Sequence, residues 1–180
     1  MIEPIALPGL TGKTVVVLDA GDAYGPAVCG SLIASGVIVI AVGAEAELPS
    51  SLVDAGTGLD GELHYRALAS HSDWPEVAEW IGAHAERVHG FVGSAAAVSA
   101  AADALASRVA PGAAMVTVGP DSEPVLGARP GIRSNAVVLS GGRGSRSEDA
   151  GSAVAYLLSD LAELVDGARI PVGERPANAI

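Results

Sequence analysis

Two short runs of β-branched and apolar residues, Thr14–Leu18 (TVVVL) and Val37–Val42 (VIVIAV), constrain the fold more than anything else in the chain. A half-exposed strand alternates apolar and polar residues. These runs do not alternate, so each is expected to be buried on both faces, which is the situation of a strand in a parallel sheet covered by helices. Between them lies Pro26–Ser35, an apolar segment with proline in its first turn and Gly36 where a helix stops. The unit is strand, helix, strand.

The same alternation continues along the chain. Glu45–Gly58, interrupted by Pro49, reads as a short irregular helix, and Leu63–Leu68 as a weaker third strand. Ser72–Val88 reads as a helix capped by Ser72 or Asp73, with Pro75 in its first turn and Glu76 and Glu79 near its positive end. Strands are expected at Gly90–Gly93, Ala113–Val118, Ile132–Leu139 and Arg169–Val172, and helices at Ala95–Val109 and Ser147–Leu164. This order predicts a single Rossmann-like α/β domain, a doubly wound three-layer sandwich around a parallel sheet of about seven strands. One crossover is irregular. Residues 119–131 contain Pro120, Pro124 and Pro130, so the helix expected after the fifth strand is missing and an extended crossover takes its place.

At 180 residues, 49% hydrophobic but only 3% aromatic, the core must be built from Val, Ala, Leu and Ile. A net charge of −11 argues against nucleic-acid and anionic-membrane partners, which need a basic footprint. The single cysteine, Cys29, excludes an internal disulfide framework and a thiolate metal cluster, and sits on an apolar helix face as a small core residue. The N-terminal residues have no basic stretch before an apolar run and no apolar segment is long enough to span a bilayer, so the expectation is a cytoplasmic protein.

The turn after the first strand, Val15–Gly25 (VVVLDAGDAYG), has the strand–turn–helix layout that holds a dinucleotide. Leu10-Thr11-Gly12-Lys13 before it, Ile132–Asn135 (IRSN), and Ser147–Val172 (SEDAGSAVAYLLSDLAELVDGARIPV) together resemble the short-chain dehydrogenase/reductase family. The resemblance runs over nearly the whole chain with two internal losses, and implies a Rossmann-like fold. It also implies a phosphate loop T-G-x-x-x-G-x-G. Ungapped counting places that loop on Leu18–Gly25: Leu18 stands for the threonine, Asp19 for the first glycine, Ala23 for the second, and Gly25 is kept. Glycines let backbone N–H groups approach a pyrophosphate at a helix N-terminus; Asp19 and Asp22 bring negative charge there instead. A shifted register using Gly21 and Gly25 restores two glycines but needs an insertion in the strand and a deletion in the helix.

The remaining family positions depart in the same direction. The ribose-selecting residue falls on Gly43, the adenine-facing aspartate on Ala69, and the N-N-A-G stretch on Gly93-Ser94-Ala95-Ala96. The family's catalytic serine falls on Pro120 or Gly119, and the helix carrying its Y-x-x-x-K pair is absent. Lys13 is the only lysine, and Tyr24, Tyr65 and Tyr156 each lie in an element of their own. The expectation is a shortened, degenerate relative: no catalytic residues, no NAD(P), no metal.

Other constellations are weaker. His64, His71, His84 and His89 lack metal-ligand spacing. The Ser140–Gly144 stretch (SGGRG) is glycine-rich with one arginine and reads as a shortened connector, or else as an anion loop. Asp19, Asp22 and Asp121 could gather at the carboxyl edge of the sheet. Loss of the crossover helix is expected to bare an apolar face marked by Val116, Val118, Val137 and Leu139, to be covered by a shifted Ala95–Val109 helix or by another subunit. The best-kept segment, Ser147–Val172, resembles the family's oligomerisation surface. A non-catalytic partner or structural subunit, as a homo-oligomer or beside an active dehydrogenase, is therefore the leading reading. The others are a protein that reuses the vacated cleft for a different ligand, and a residual NAD(P)-dependent oxidoreductase.

Overall fold

A computed structural model describes residues 7–59, 61–124, 130–140 and 147–173. Seven strands form one parallel sheet in the order β3-β2-β1-β4-β5-β6-β7. The strands are β1 (Thr14–Val17), β2 (Ile38–Gly43), β3 (Glu62–Ala67), β4 (Val88–Gly93), β5 (Val109–Gly119), β6 (Arg133–Ser140) and β7 (Arg169–Gly173). Every neighbouring pair is parallel, β1 lying between β2 and β4 with Val16 opposite Ile40 on one side and Phe91 on the other. The α/β sandwich expected from the two apolar runs is the observed architecture.

Helices α1 (Gly25–Ala34), α2 (Ser50–Gly56) and α5 (Ser147–Leu158) lie over one face; α3 (Trp74–His84) and α4 (Ala95–Ala104) lie over the other. The pleat divides each strand accordingly. Val15 and Val17 join the core under α1 and α5, whereas Val16 and Leu18 join the core under α3 and α4. Helix α1 ends as Gly36 predicts. Gly36 takes φ 75, its N–H bonds the Ile33 carbonyl, and the Val37 N–H reaches back to Leu32, closing off two of the last carbonyls. Packing of α1 on α5 is close because Gly151 has no side chain: a Cβ there would stand 2.5 Å from the Ala27 carbonyl oxygen.

Several element ends differ from expectation. α3 stops at His84, since Ala85 is extended. α4 stops at Ala104, a 3-10 turn (Ala106–Arg108) follows, and β5 begins already at Val109. Its pairing with β4 slips between Val88 and Gly90, where Gly112 at φ 74 lets the chain bulge. α5 likewise ends at Leu158, and a 3-10 turn (Asp160–Ala162) carries the chain toward β7. The expected cap of α3 is not made either. Asp73 spends one carboxylate oxygen on the Ser70 N–H and the other on the Ser72 hydroxyl, leaving no side-chain bond to the helix.

The crossover after β5 shows no helix among its described residues, as the prolines predict. The bare apolar face does not follow, however. Val116, Val118, Val137 and Leu139 point to the side already covered by α1 and α5. On the opposite face Thr117 and Ala136 are fully buried. There the first, described part of the crossover is tied back to the sheet: the Thr117 hydroxyl donates to the Glu123 carbonyl at 2.7 Å, and the Glu123 carboxylate meets Arg169 of β7 at 2.9 Å. None of the large exposed hydrophobic side chains among the described residues lies on β5 or β6.

Candidate functional site

The turn between β1 and α1 is tied to both neighbouring strands. The Leu18 N–H bonds the Val92 carbonyl of β4 at 2.7 Å, and the Ala20 N–H bonds the Val42 carbonyl of β2 at 3.1 Å. Between them Asp19 stands at φ 52, alone among the described non-glycine residues in having positive φ. This is a conformation that glycine takes freely and that aspartate tolerates better than most residues. The Asp19 carboxylate turns toward β4 and accepts the Ser94 N–H at 3.2 Å. Ser94 opens α4 without a side-chain cap of its own, so Asp19 serves that helix from another element. Ala23 is exposed in the turn.

Gly25 and Gly93 have reasons internal to the fold. A Cβ at Gly25 would stand 2.0 Å from the Ala20 carbonyl oxygen, and one at Gly93 would stand 2.7 Å from the Leu18 Cβ. Neither glycine needs a ligand to account for it.

Glu45 carries no motif or spacing that singles it out. Its carboxylate lies across the turn: a Cβ on Gly21 would meet Glu45 Oε1 at 2.6 Å, and one on Gly43 would meet Oε2 at 3.1 Å. Tyr65 donates its hydroxyl to the Glu45 carbonyl at 2.7 Å, holding that stretch over the end of β2. Burial, then the charges of Asp19 and Glu45, push the Asp22 carboxyl above its ordinary range. Burial, then Asp19 and Asp22, push the Tyr24 phenol up as well. The third carboxylate of the group is therefore Glu45, not Asp121. None of Asp19, Asp22 and Glu45 has a cationic partner among the described residues.

Beside the turn is a cavity of about 190 Å³ at the carboxyl ends of β1, β2 and β3. It gathers four positions that the sequence assigned separately, Leu18, Asp19, Gly43 and Ala69, and adds Val42, Leu68, Trp74 and Ala97. Trp74 is 5% exposed, and its indole N–H is buried without a hydrogen-bond partner. Leaving such a donor unpaired costs about 1–3 kcal/mol. A larger cleft of about 530 Å³ opens at the opposite, amino edge, between Lys13, Arg133, Asp160 and Glu163. Its charges are engaged in the fold: Lys13 pairs with Asp160 at 3.0 Å, and Arg133 donates to the carbonyls of Leu157 and Ala162. In parallel α/β sheets ligands sit at the carboxyl edge, so the smaller cavity is the candidate site.

The other candidate residues are dispersed. Lys13 is at the amino edge, Tyr24 is in the core under α1, Tyr65 is on β3, and Tyr156 is on the exposed side of α5. Gly119 ends β5 and Pro120 follows it, exposed. His64 and His84 do come together, ring centroids 4.9 Å apart, with His84 against Trp80 at 4.2 Å, a contact between β3 and α3 that spacing did not reveal. His89 lies elsewhere, its Nδ1 accepting the Thr14 N–H at 3.1 Å, and His71 opens a 3-10 turn (His71–Asp73). No group of three or more His, Cys, Asp or Glu side chains among the described residues is placed to hold a metal ion. Cys29 is buried, and burial pushes its thiol up to about 12. Residues 141–144 of the glycine-rich stretch lie outside the described residues. No described helix is long and apolar enough to cross a membrane.

No protein-family model matches the sequence, and no curated protein matches it. Solved structures do. A short-chain dehydrogenase from Mycobacterium smegmatis superposes with a TM-score of 0.76 at 19% identity, over 98% of this chain and 97% of that one. A hydroxysteroid dehydrogenase from Escherichia coli gives 0.75 at 13% identity, over 93% and 98%. A citronellol catabolism dehydrogenase from Pseudomonas aeruginosa gives 0.70 at 19% identity, over 95% and 98%. At these identities the likeness is one of fold: the chain shares the Rossmann-like architecture of short-chain dehydrogenases/reductases.

Proposed function

We propose that this protein is a non-catalytic relative of the short-chain dehydrogenases/reductases, a single cytoplasmic domain retained as a partner or structural subunit. The observation that carries the reading is the set of carboxylates at the β1–α1 turn. Asp19, which ungapped counting aligns with the first glycine of the family motif, stands at φ 52, and Glu45 lies over Gly21 and Gly43. A dinucleotide pyrophosphate brought to this helix N-terminus would meet negative side chains where backbone N–H groups should be open to it. The relay chemistry has no carrier, because the crossover that should bear tyrosine and lysine is short and proline-rich and Lys13 is at the wrong edge.

A role through contact is supported by where apolar surface remains. Leu161 and Leu164, just beyond α5, are 57% and 97% exposed, and Tyr156 on the same helix is 37% exposed. The test is calorimetric titration of the purified chain with NAD(H) and NADP(H), paired with light-scattering mass and co-expression with its neighbouring gene products. No heat at millimolar nucleotide together with a mass above one chain, or a co-purifying dehydrogenase, supports the reading. Micromolar binding of either cofactor, or a stable monomer without a partner, overturns it.

A further inference from the structure

We infer that the cavity at the ends of β1, β2 and β3 is a binding site for a small organic amine, its cationic nitrogen on the Asp19 carboxylate and its apolar body against Trp74. Two independent features mark the cavity as a ligand site. The walls are apolar: Leu18, Val42, Leu68, Trp74 and Ala97 line about 190 Å³. This is below the roughly 300–1,000 Å³ of drug-sized pockets, which limits the body to about one ring. Within that wall the Trp74 indole N–H is buried without an acceptor, the kind of orphan donor that a ligand oxygen or π-face satisfies.

The rim supplies the charge. Asp19 lines the cavity itself, the Glu45 carboxylate lies over Gly21 and Gly43 beside it, and the charges of Asp19 and Glu45 add to burial in raising the Asp22 carboxyl. Three carboxylates with no cationic partner among the described residues repel one another, and the repulsion is relieved by an incoming cation. The same charges turn away phosphates and carboxylates. An apolar floor under an anionic rim is complementary to an ammonium on a hydrocarbon or aromatic stem. The site is independent of any partner role for the rest of the molecule.

The chain has two tryptophans, so its indole N–H region in a proton–nitrogen spectrum holds two cross-peaks, and Trp74→Phe assigns them. The probes are phenethylamine, the neutral phenethyl alcohol and the anionic phenylacetate, with NADH as a separate arm. The expected result is a saturable shift of the Trp74 cross-peak with the amine, binding weaker by roughly tenfold or more for the alcohol, and none for the acid. Asp19→Asn, which keeps the turn conformation, should bring the amine down to the alcohol's affinity. Ala97→Leu, which fills the cavity, should abolish both. Equal binding of the three probes, a Trp74 signal that no probe moves at millimolar concentration, or an Asp19→Asn variant that binds the amine unchanged would each overturn the inference. NADH binding would overturn the loss of the cofactor while leaving the amine comparison to stand on its own result.

Discussion

At Asp19 the backbone is held in a left-handed conformation that most side chains resist, and one carboxylate oxygen engages the Ser94 N–H. The two effects separate by substitution. Asparagine tolerates the same φ and keeps an acceptor for Ser94 but removes the charge, so Asp19→Asn should leave stability unchanged or raise it. Asp19→Ala meets the conformational cost and loses the hydrogen bond, and should be less stable by about 2 kcal/mol. Urea denaturation of the pair distinguishes them, and an alanine variant as stable as wild type would refute a strained, bonded Asp19. His89 offers a second test. The Thr14 N–H aims at the Nδ1 lone pair, so the imidazole must be neutral there, and burial followed by the Lys13 charge holds its pKa below the usual 6.5. The folded state therefore resists a proton that the unfolded chain accepts. This contribution is complete above the unfolded value and is lost as pH falls through it toward the folded one. Stability measured from pH 7 to pH 5 should fall less steeply in His89→Gln than in wild type; parallel curves would remove His89 from the account.

The elements were legible wherever apolar patterning and a breaker coincided. TVVVL and VIVIAV supplied β1 and β2 because every position but the half-buried Ile38 is buried, and Gly36 stopped α1 through its positive φ. Helix ends lacking a glycine were set by tertiary contacts and were read too long, as at His84 and Leu158. The proline-rich crossover was legible in that its described residues form no helix. Its consequence was not, because which face Val116 and Val137 occupy depends on strand register and on α5 folding back over them. The same α5 packs on α1 through Gly151, whose significance a pattern of small residues does not announce. A methyl there points at the Ala27 carbonyl and the Ser31 hydroxyl oxygen, both 2.5 Å away. Gly151→Ala should therefore push the helices apart and cost about 1–3 kcal/mol, although alanine is the better helix former. A urea midpoint that falls with an unchanged slope is the expected signature; a rise would show that the helices yield without cost.

For the molecule as a whole, the candidate site divides along what a sequence can carry. Asp19 was identified by counting along a motif, Gly43 and Ala69 by their places after the second and third strands, and the structure brings all three to one cavity. Glu45, Trp74 and Ala97 were missed because they arrive from β2's outgoing loop and from helices α3 and α4, joined only by the fold. The exposed apolar side chains lie elsewhere than the strand pattern implied, for a related reason. With Thr117 and Ala136 buried on the β5–β6 face, the large exposed apolar side chains of the described residues after α2 are Tyr156, Leu161 and Leu164. A chain of net charge −11 repels its own copies, so self-association through these side chains must gain from apolar burial and should strengthen as salt screens the repulsion. The expected outcome is a solution mass above 17.8 kDa that rises between low and moderate ionic strength. Leu161→Glu combined with Leu164→Glu should return the mass to a single chain, leaving the fold intact because both side chains are already in water. An assembly that survives the double substitution would place the contact elsewhere. A monomer at every salt concentration would leave a different polypeptide as the partner, to be sought by co-expression with the same double variant as the control.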